Sequence, residues 1–273
     1  MVRVDCKDLI SLLERTQRKA NIGGKLIEQV VSCVLHGEEE GLKLTTTMIV
    51  RDGKTSVSHF SCMTKDVLES DVEIVIPNIE YVISALKKHT GIVSLTQASF
   101  EDKLRIKSPS KSTSLSADVR ALAFPHTQET VVGWCEKSKA LHKKIGGSTG
   151  QYTLNDGSLK QPMGKIEVVW RDFTDAIASG NINGQKISRF KLKVEEGVAY
   201  VEVGDDLKGK MVSVIGSCDT EDFEWSFEGG LENISLSQKV NIFIQDFREQ
   251  GQGIALIIYD AFGMESIFQR GVI

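Results

Sequence analysis

Val72-Glu73-Ile74-Val75-Ile76-Pro77-Asn78-Ile79-Glu80-Tyr81-Val82-Ile83-Ser84-Ala85-Leu86-Lys87-Lys88 is the stretch that decides how the chain is read. Its first five residues form a strand, Pro77-Asn78 punctuates it, and Asn78 stands where a helix N-cap belongs. From Ile79 to His89 the period changes. Ile79, Val82, Ile83 and Leu86 fall on one stripe, while Glu80, Ser84, Lys87 and Lys88 face the other way. Alternating stretches at 93–96, 103–107 and 113–119 then read as strands.

The same order, strand, short helix, then two or three strands, occurs at the start of the chain. Asp5 is placed to cap a helix with Leu9, Ile10 and Leu13 inward, flanked by Cys6 and Gln17. Strand patterns follow at 29–35, 42–50 and 54–61, with Arg51-Asp52-Gly53-Lys54 as a tight hairpin. A third copy runs from a strand at 165–170 into a helix at 172–182 and strands at 189–194, 198–203 and 211–215. The fourth opens at 223–228, has a brief helix at 231–236, and closes with strands at 240–245, 254–260 and 266–270. The expected fold is α+β, with two similar domains of two units each: 1–120 and 164–273. They are joined by a connector, 121–163, that carries an inserted helix from Val131 to Ile145.

A unit repeated without chemistry builds a surface or a ring rather than an active site. No Gly-x-Ser-x-Gly elbow or His-x-x-x-His pair occurs, and Gly146-Gly147-Ser148-Thr149-Gly150 lacks the Lys-Ser/Thr ending of a phosphate loop. Glu38-Glu39-Glu40 and Asp205-Asp206 read as solvated hairpin tips. The five cysteines are scattered without a Cys-x-x-Cys pair, so they are expected as reduced thiols in the core, with no metal and no cofactor. Apolar runs are strand-sized and the first residues turn polar at once, so neither a membrane span nor a signal peptide is expected. A cytoplasmic protein is the expectation.

Residues 1–150 hold 21 Lys/Arg against 18 Asp/Glu, and residues 151–273 hold 12 against 19. The whole chain is therefore no simple basic nucleic-acid binder, and any attraction to phosphate must come from a local stripe. Lys7, Arg15, Arg18, Lys87 and Lys88 fall opposite the apolar stripes of the first two helices. Such a face is ordinarily just solvated. If the helices share one wall, its cations can meet phosphates without reading bases. Lys139, Lys143 and Lys144 on the inserted helix and Arg171 near the third are further candidates.

The segment from Val72 to Lys107, together with Leu231-Glu232-Asn233-Ile234 and the run from Lys239 through Tyr259, resembles DNA sliding clamps of the proliferating-cell-nuclear-antigen type. The resemblance implies a processivity factor without catalysis of its own. Three two-domain chains would close a ring around double-stranded DNA, helices lining the hole and sheets outside. Its implied partners are a replicative DNA polymerase, a clamp loader and two further copies of itself. It would act at a nucleoid or viral replication site, or in the nucleus of a eukaryote. The seam would pair strand 113–119, with Thr113, Leu115, Ala117 and Val119, against 211–215 of the next chain, with Val212 and Val214. A peptide pocket would be built from Met48, Leu122, Phe124, Pro125, Val272 and Ile273. Two other classes stay open: an α+β enzyme or accessory subunit with a ligand site outside known motifs, and a clamp-like monomer or dimer that encircles nothing.

Overall fold

The computed structural model describes residues 1–16, 18–22, 25–30, 33–38, 41–50, 56–70, 73–76, 78–97, 103–116, 128–179, 189–205, 209–228, 231, 234, 236, 238–260 and 265–271. In chain order the elements begin β1 (Val2–Asp5), α1 (Cys6–Thr16), β2 (Arg18–Ile22), β3 (Lys25–Val30), β4 (Cys33–Glu38), β5 (Gly41–Val50), β6 (Ser56–Thr64), β7 (Val67–Ser70) and β8 (Ile74–Ile76). There follow α2 (Ile79–Leu86), β9 (Ile92–Gln97), β10 (Lys103–Ser108), β11 (Lys111–Ser116), α3 (Gln128–His142), β12 (Tyr152–Thr153), β13 (Leu159–Lys160), β14 (Gly164–Val169) and α4 (Trp170–Ala178). Strands β15 (Arg189–Glu195), β16 (Val198–Asp205), β17 (Gly209–Ser217), β18 (Phe223–Glu228), β19 (Lys239–Asp246), β20 (Ile254–Asp260) and β21 (Glu265–Arg270) complete it. These divide into two compact units, Met1–Met48 with Phe60–Ala140, and Ile49–His59 with Leu141–Ile273.

In the first unit, β11-β10-β9-β1-β7 form an antiparallel sheet, and β5-β4-β8 lie side by side in another. The Asp5 carboxylate accepts the Lys7 N–H at 2.8 Å, and Asn78 accepts the Tyr81 N–H at 3.0 Å, so both helices begin on side-chain caps. Helix α1 buries Cys6, Leu9, Leu12, Leu13 and Thr16, while Ile10, expected inside, is only half-buried. It stops at Thr16, whose hydroxyl donates to the Leu13 and Leu12 carbonyls at 2.8 and 3.3 Å. Arg18 therefore opens strand β2 instead of lying on the helix. Helix α2 buries Ile79, Val82, Ile83, Ala85 and Leu86 and ends before Lys87 and Lys88, which belong to the turn after it.

In the second unit the order is β14-β19-β20-β21 in one sheet and β17-β16-β15-β18 in the other. Strand β20 is the run that looked purely apolar, and here both of its faces are covered, which removes the need for a polar face. On one face Phe243, Phe247, Ile257 and Phe268 pack with Leu141, and Ile145, Tyr152 and Leu154 close over them. The Gly150 backbone, at φ +66°, lies so near Phe243 that an added Cβ would fall 2.2 Å from its ring, and the Gly150 carbonyl accepts from Gln245 Nε2 at 2.6 Å. Helix α4 starts at Trp170, two residues earlier than expected, and buries Trp170, Phe173 and Ile177. Of the helix expected at 231–236 only residues 231, 234 and 236 are described, and there the Ile234 N–H donates to the Leu231 carbonyl at 3.0 Å. Trp170 Nε1 donates to the Ile234 carbonyl at 2.7 Å, which satisfies that buried acceptor.

Candidate functional site: helix faces, sheet faces and open edges

On the helices of the first unit, Lys7, Glu14, Glu80, Tyr81, Ser84, Lys87 and Lys88 are exposed and Arg15 is half-buried. The cations are partly offset: Lys87 Nζ lies 3.1 Å from Glu14 Oε1. On α4, Arg171 faces solvent but pairs one turn on with Asp175 at 3.5 Å, beside the exposed Asp172. Lys139 pairs with Glu73, and Lys144 donates to Asn155 Oδ1, while Lys143 is exposed. Arg18 lies in β2, where its side chain is outside the described residues. These faces carry a modest positive excess in the first unit only.

The two sheets with four or five strands each present a helix-bearing and a helix-free face. In the first unit the helix side is fixed by the end of α2. His89 Nδ1 bonds Ser108 Oγ and Nε2 bonds Thr113 Oγ1, both at 2.9 Å, and Lys111 Nζ donates to the Lys88 carbonyl at 2.8 Å. Burial of its ring, with the Lys111 charge, lowers the His89 pKa. Strand alternation then puts the exposed Lys103, Arg105 and Lys107 on the opposite face. Register aligns them with Ser116, Ser114 and Ser112 on β11 and, for Arg105 and Lys107, with Thr96 and Ser94 on β9.

The helix-free face of β17-β16-β15-β18 is different. There Lys191 Nζ lies 2.8 Å from Glu224 and 3.5 Å from Glu202, Lys210 is 2.7 Å from Glu202, and Lys193 is 2.7 Å from Glu195. Partial burial alone would raise the Glu202 pKa. The hydrogen bond from Lys210 and the charges of Lys191 and Lys210 outweigh it and hold the carboxyl below its usual range.

Each sheet also has an open end strand. Strand β11 pairs only with β10, and β17 only with β16 among the described residues, so each leaves one row of backbone N–H and C=O groups without a strand partner. Thr113 and Leu115 on β11 are half-buried. On β17, Met211, Val212 and Val214 are 41%, 55% and 67% exposed, among the most open apolar side chains described. Four of the expected seam residues, Thr113, Leu115, Val212 and Val214, thus lie on these edge strands, the two valines with exposed side chains, while Ala117 and Val119 lie outside the described residues. So do Leu122, Phe124, Pro125, Val272 and Ile273, and of Met48 only the β5 backbone is described.

The five cysteines are free and buried. Burial, aided by the Glu136 charge and offset by a hydrogen bond with Val34, pushes the Cys135 thiol up to about 12, far from a reactive thiolate. Among the described residues no group of three or more His, Cys, Asp or Glu side chains is gathered to hold a metal ion, and no helix is long and apolar enough to cross a membrane.

No family model and no curated protein matches the sequence. Solved structures do match the fold. The DNA polymerase III beta subunit of Thermotoga maritima superposes with a TM-score of 0.60 at 11% identity, over 99% of this chain and 64% of that one. The Caulobacter crescentus polymerase III beta gives 0.61 at 14% identity, over 99% and 65%. The Helicobacter pylori beta clamp bound to a DNA ligase peptide gives 0.55 at 14%, over 99% and 66%. The chain thus has the sliding-clamp fold, a strand-rich α+β arrangement, and spans just under two thirds of the first two chains. These matches are bacterial beta subunits, so they carry the clamp fold and not the narrower subtype expected from the sequence.

Proposed function

We propose that this chain is a DNA sliding clamp, a processivity factor that holds a replicative polymerase to duplex DNA and catalyses nothing itself. The observation that supports this most is the pairing of a clamp fold over nearly the whole chain with two open edge strands. One of these, β17, exposes Met211, Val212 and Val214. An exposed apolar edge is a hazard unless another strand covers it, and head-to-tail pairing of β17 with β11 of the next copy leaves no free edge once a ring closes. Three copies make that ring in our reading. The helix faces supply loose phosphate contacts from Lys7, Arg15, Lys87 and Lys88, and retention on DNA is topological. The partner peptide, from a polymerase or a ligase as in the Helicobacter pylori complex, docks near Met48, the 122–125 segment and the last two residues, and a loader opens the ring.

Two measurements test this. Sedimentation equilibrium should give a mass near three times 30.1 kDa, and polymerase run length on primed DNA should rise when the chain is loaded. A monomer or dimer that still lengthens runs would replace the ring with a clamp-like accessory factor. A chain with no effect on run length at any oligomeric state would overturn the reading.

A further inference from the structure

On the reading of this chain as a DNA clamp, we infer that Tyr81 on α2 is a stacking platform for an unpaired base. The stripe of Tyr81, Ser84 and Lys88 then holds single-stranded DNA, such as the template that continues past the end of a primer, while the duplex meets only the lysines. Tyr81 is 60% exposed, the one open aromatic ring among the described side chains. Its backbone is fixed all the same, because its N–H donates to Asn78 Oδ1 at 3.0 Å in the first turn of the helix. The ring is thus carried on a rigid element and offered to solvent.

Helical geometry decides what stands with it. At about 100° per residue, Ser84 and Lys88 fall within about 60° and 20° of Tyr81, while Glu80 and Lys87 turn away by about 100° and 120°. The turn runs on past Leu86: the Lys87 N–H donates to the Ile83 carbonyl and the Lys88 N–H to the Ala85 carbonyl, both at 3.0 Å. Lys88 therefore keeps its place on the stripe, about 10 Å along the axis from Tyr81. Lys111 Nζ, 2.8 Å from the Lys88 carbonyl, brings a second ammonium to that end. Tyr81, Ser84, Lys88 and Lys111 are all exposed. Ring, hydroxyl and cations in that order let a base lie on the ring while its sugar-phosphate backbone runs on to the lysines.

The preference for a single strand follows from where base faces are free. In a duplex each base is covered above and below by its neighbours, so a ring on a convex helix reaches only the backbone. An unpaired base leaves a face open, and every base has one, so stacking adds affinity without reading sequence. The lysines alone attract both forms through their phosphates. Tyr81 is what separates them.

The test uses the full chain in fluorescence anisotropy at low salt, with a labelled single-stranded thymidylate 20-mer and a labelled blunt 30-base-pair duplex. Y81A should weaken binding of the single strand by about 5- to 100-fold and that of the duplex by less than about twofold. Y81F should keep wild-type affinity for both, and circular dichroism should be unchanged in each variant. Irradiating the wild type with a 20-mer carrying 5-iododeoxyuridine should crosslink the base to Tyr81, located by mass spectrometry. Wild-type single-strand affinity in Y81A would overturn the inference. So would an equal loss on the two DNAs, or a loss in Y81F as large as in Y81A, which would make the hydroxyl and not the ring the contact. A chain that lengthens polymerase runs yet shows any of these results loses the stacking platform alone. A chain that binds neither DNA and lengthens no run loses the clamp reading as well.

Discussion

The two sheets that end on β11 and β17 share a layout and differ in how they treat charge and edges. The sheet β11-β10-β9-β1-β7 shows solvent Lys103, Arg105 and Lys107 and ends on a strand of serine, threonine and lysine around the half-buried Leu115. The sheet β17-β16-β15-β18 weaves its lysines among glutamates and ends on exposed valines. Lysine–glutamate pairs gather on the sheet whose edge is apolar, and Lys103 and Lys107 stand on the sheet whose edge is polar. An apolar edge gains from being covered by another chain, and a balanced charge lattice beside it keeps repulsion out of that contact. A polar edge beside a cationic face is suited to meeting something charged.

The comparison breaks most visibly at β17. V212D/V214D puts two carboxylates on side chains that are more than half exposed, so the fold should survive. Self-association should weaken at least 100-fold, about 2.7 kcal/mol, read as loss of mass by sedimentation. S114D on β11 should cost much less, since that edge is already polar; equal effects at the two edges would remove the distinction.

A smaller effect is expected inside the charge lattice. E202Q removes the carboxylate shared by Lys191 and Lys210. Allowing for solvent screening of these half-exposed lysines, the loss at pH 7 should be about 1 kcal/mol. Because the folded state holds the Glu202 pKa down, its contribution is present above the unfolded value and disappears as pH falls through the folded one. Melting temperatures of wild type and E202Q should therefore differ at pH 7 and converge as the pH falls below the folded-state value. A constant gap would mean that the ion pairs are not its source.

The smallest effect belongs to His89, which ties the end of α2 to β11 through Thr113. Its folded pKa is lowered, so as pH drops below about 6.5 the unfolded chain takes up a proton first and stability falls. Between pH 7 and pH 5 the wild type should lose up to about 1 kcal/mol that H89Q does not lose, measured by urea unfolding at each pH. Parallel pH profiles for the two proteins would show that His89 titrates as it does in the unfolded chain.

Much of this was legible in the sequence because period and caps are local. Asn78, the stripe of α2 and nearly every strand from 189 onward could be read directly, since each depends on residues within one turn or one pleat. The misreadings came from long-range partners. Leu231 and Ile234 are both buried, and the Ile234 carbonyl takes its hydrogen bond from Trp170, over sixty residues away, a partner that no local pattern reveals. Arg18 was put on a helix that Thr16 ends by bonding back to it. The strand at 103–107 was legible as an alternation, but the side of the sheet that Lys103, Arg105 and Lys107 face was not, because that depends on where His89 docks. For the same reason the open edges came only from the family resemblance.

The closure of Leu141, Ile145, Tyr152 and Leu154 over Phe243, Phe247 and Phe268 also has a consequence in time. The covering residues are made first, and the surface they cover leaves the ribosome only after some ninety more residues. At ordinary rates of synthesis that interval is roughly 5 to 20 s. Throughout it the apolar side of this segment lacks the aromatic face it covers, so a holding chaperone would meet the nascent chain there.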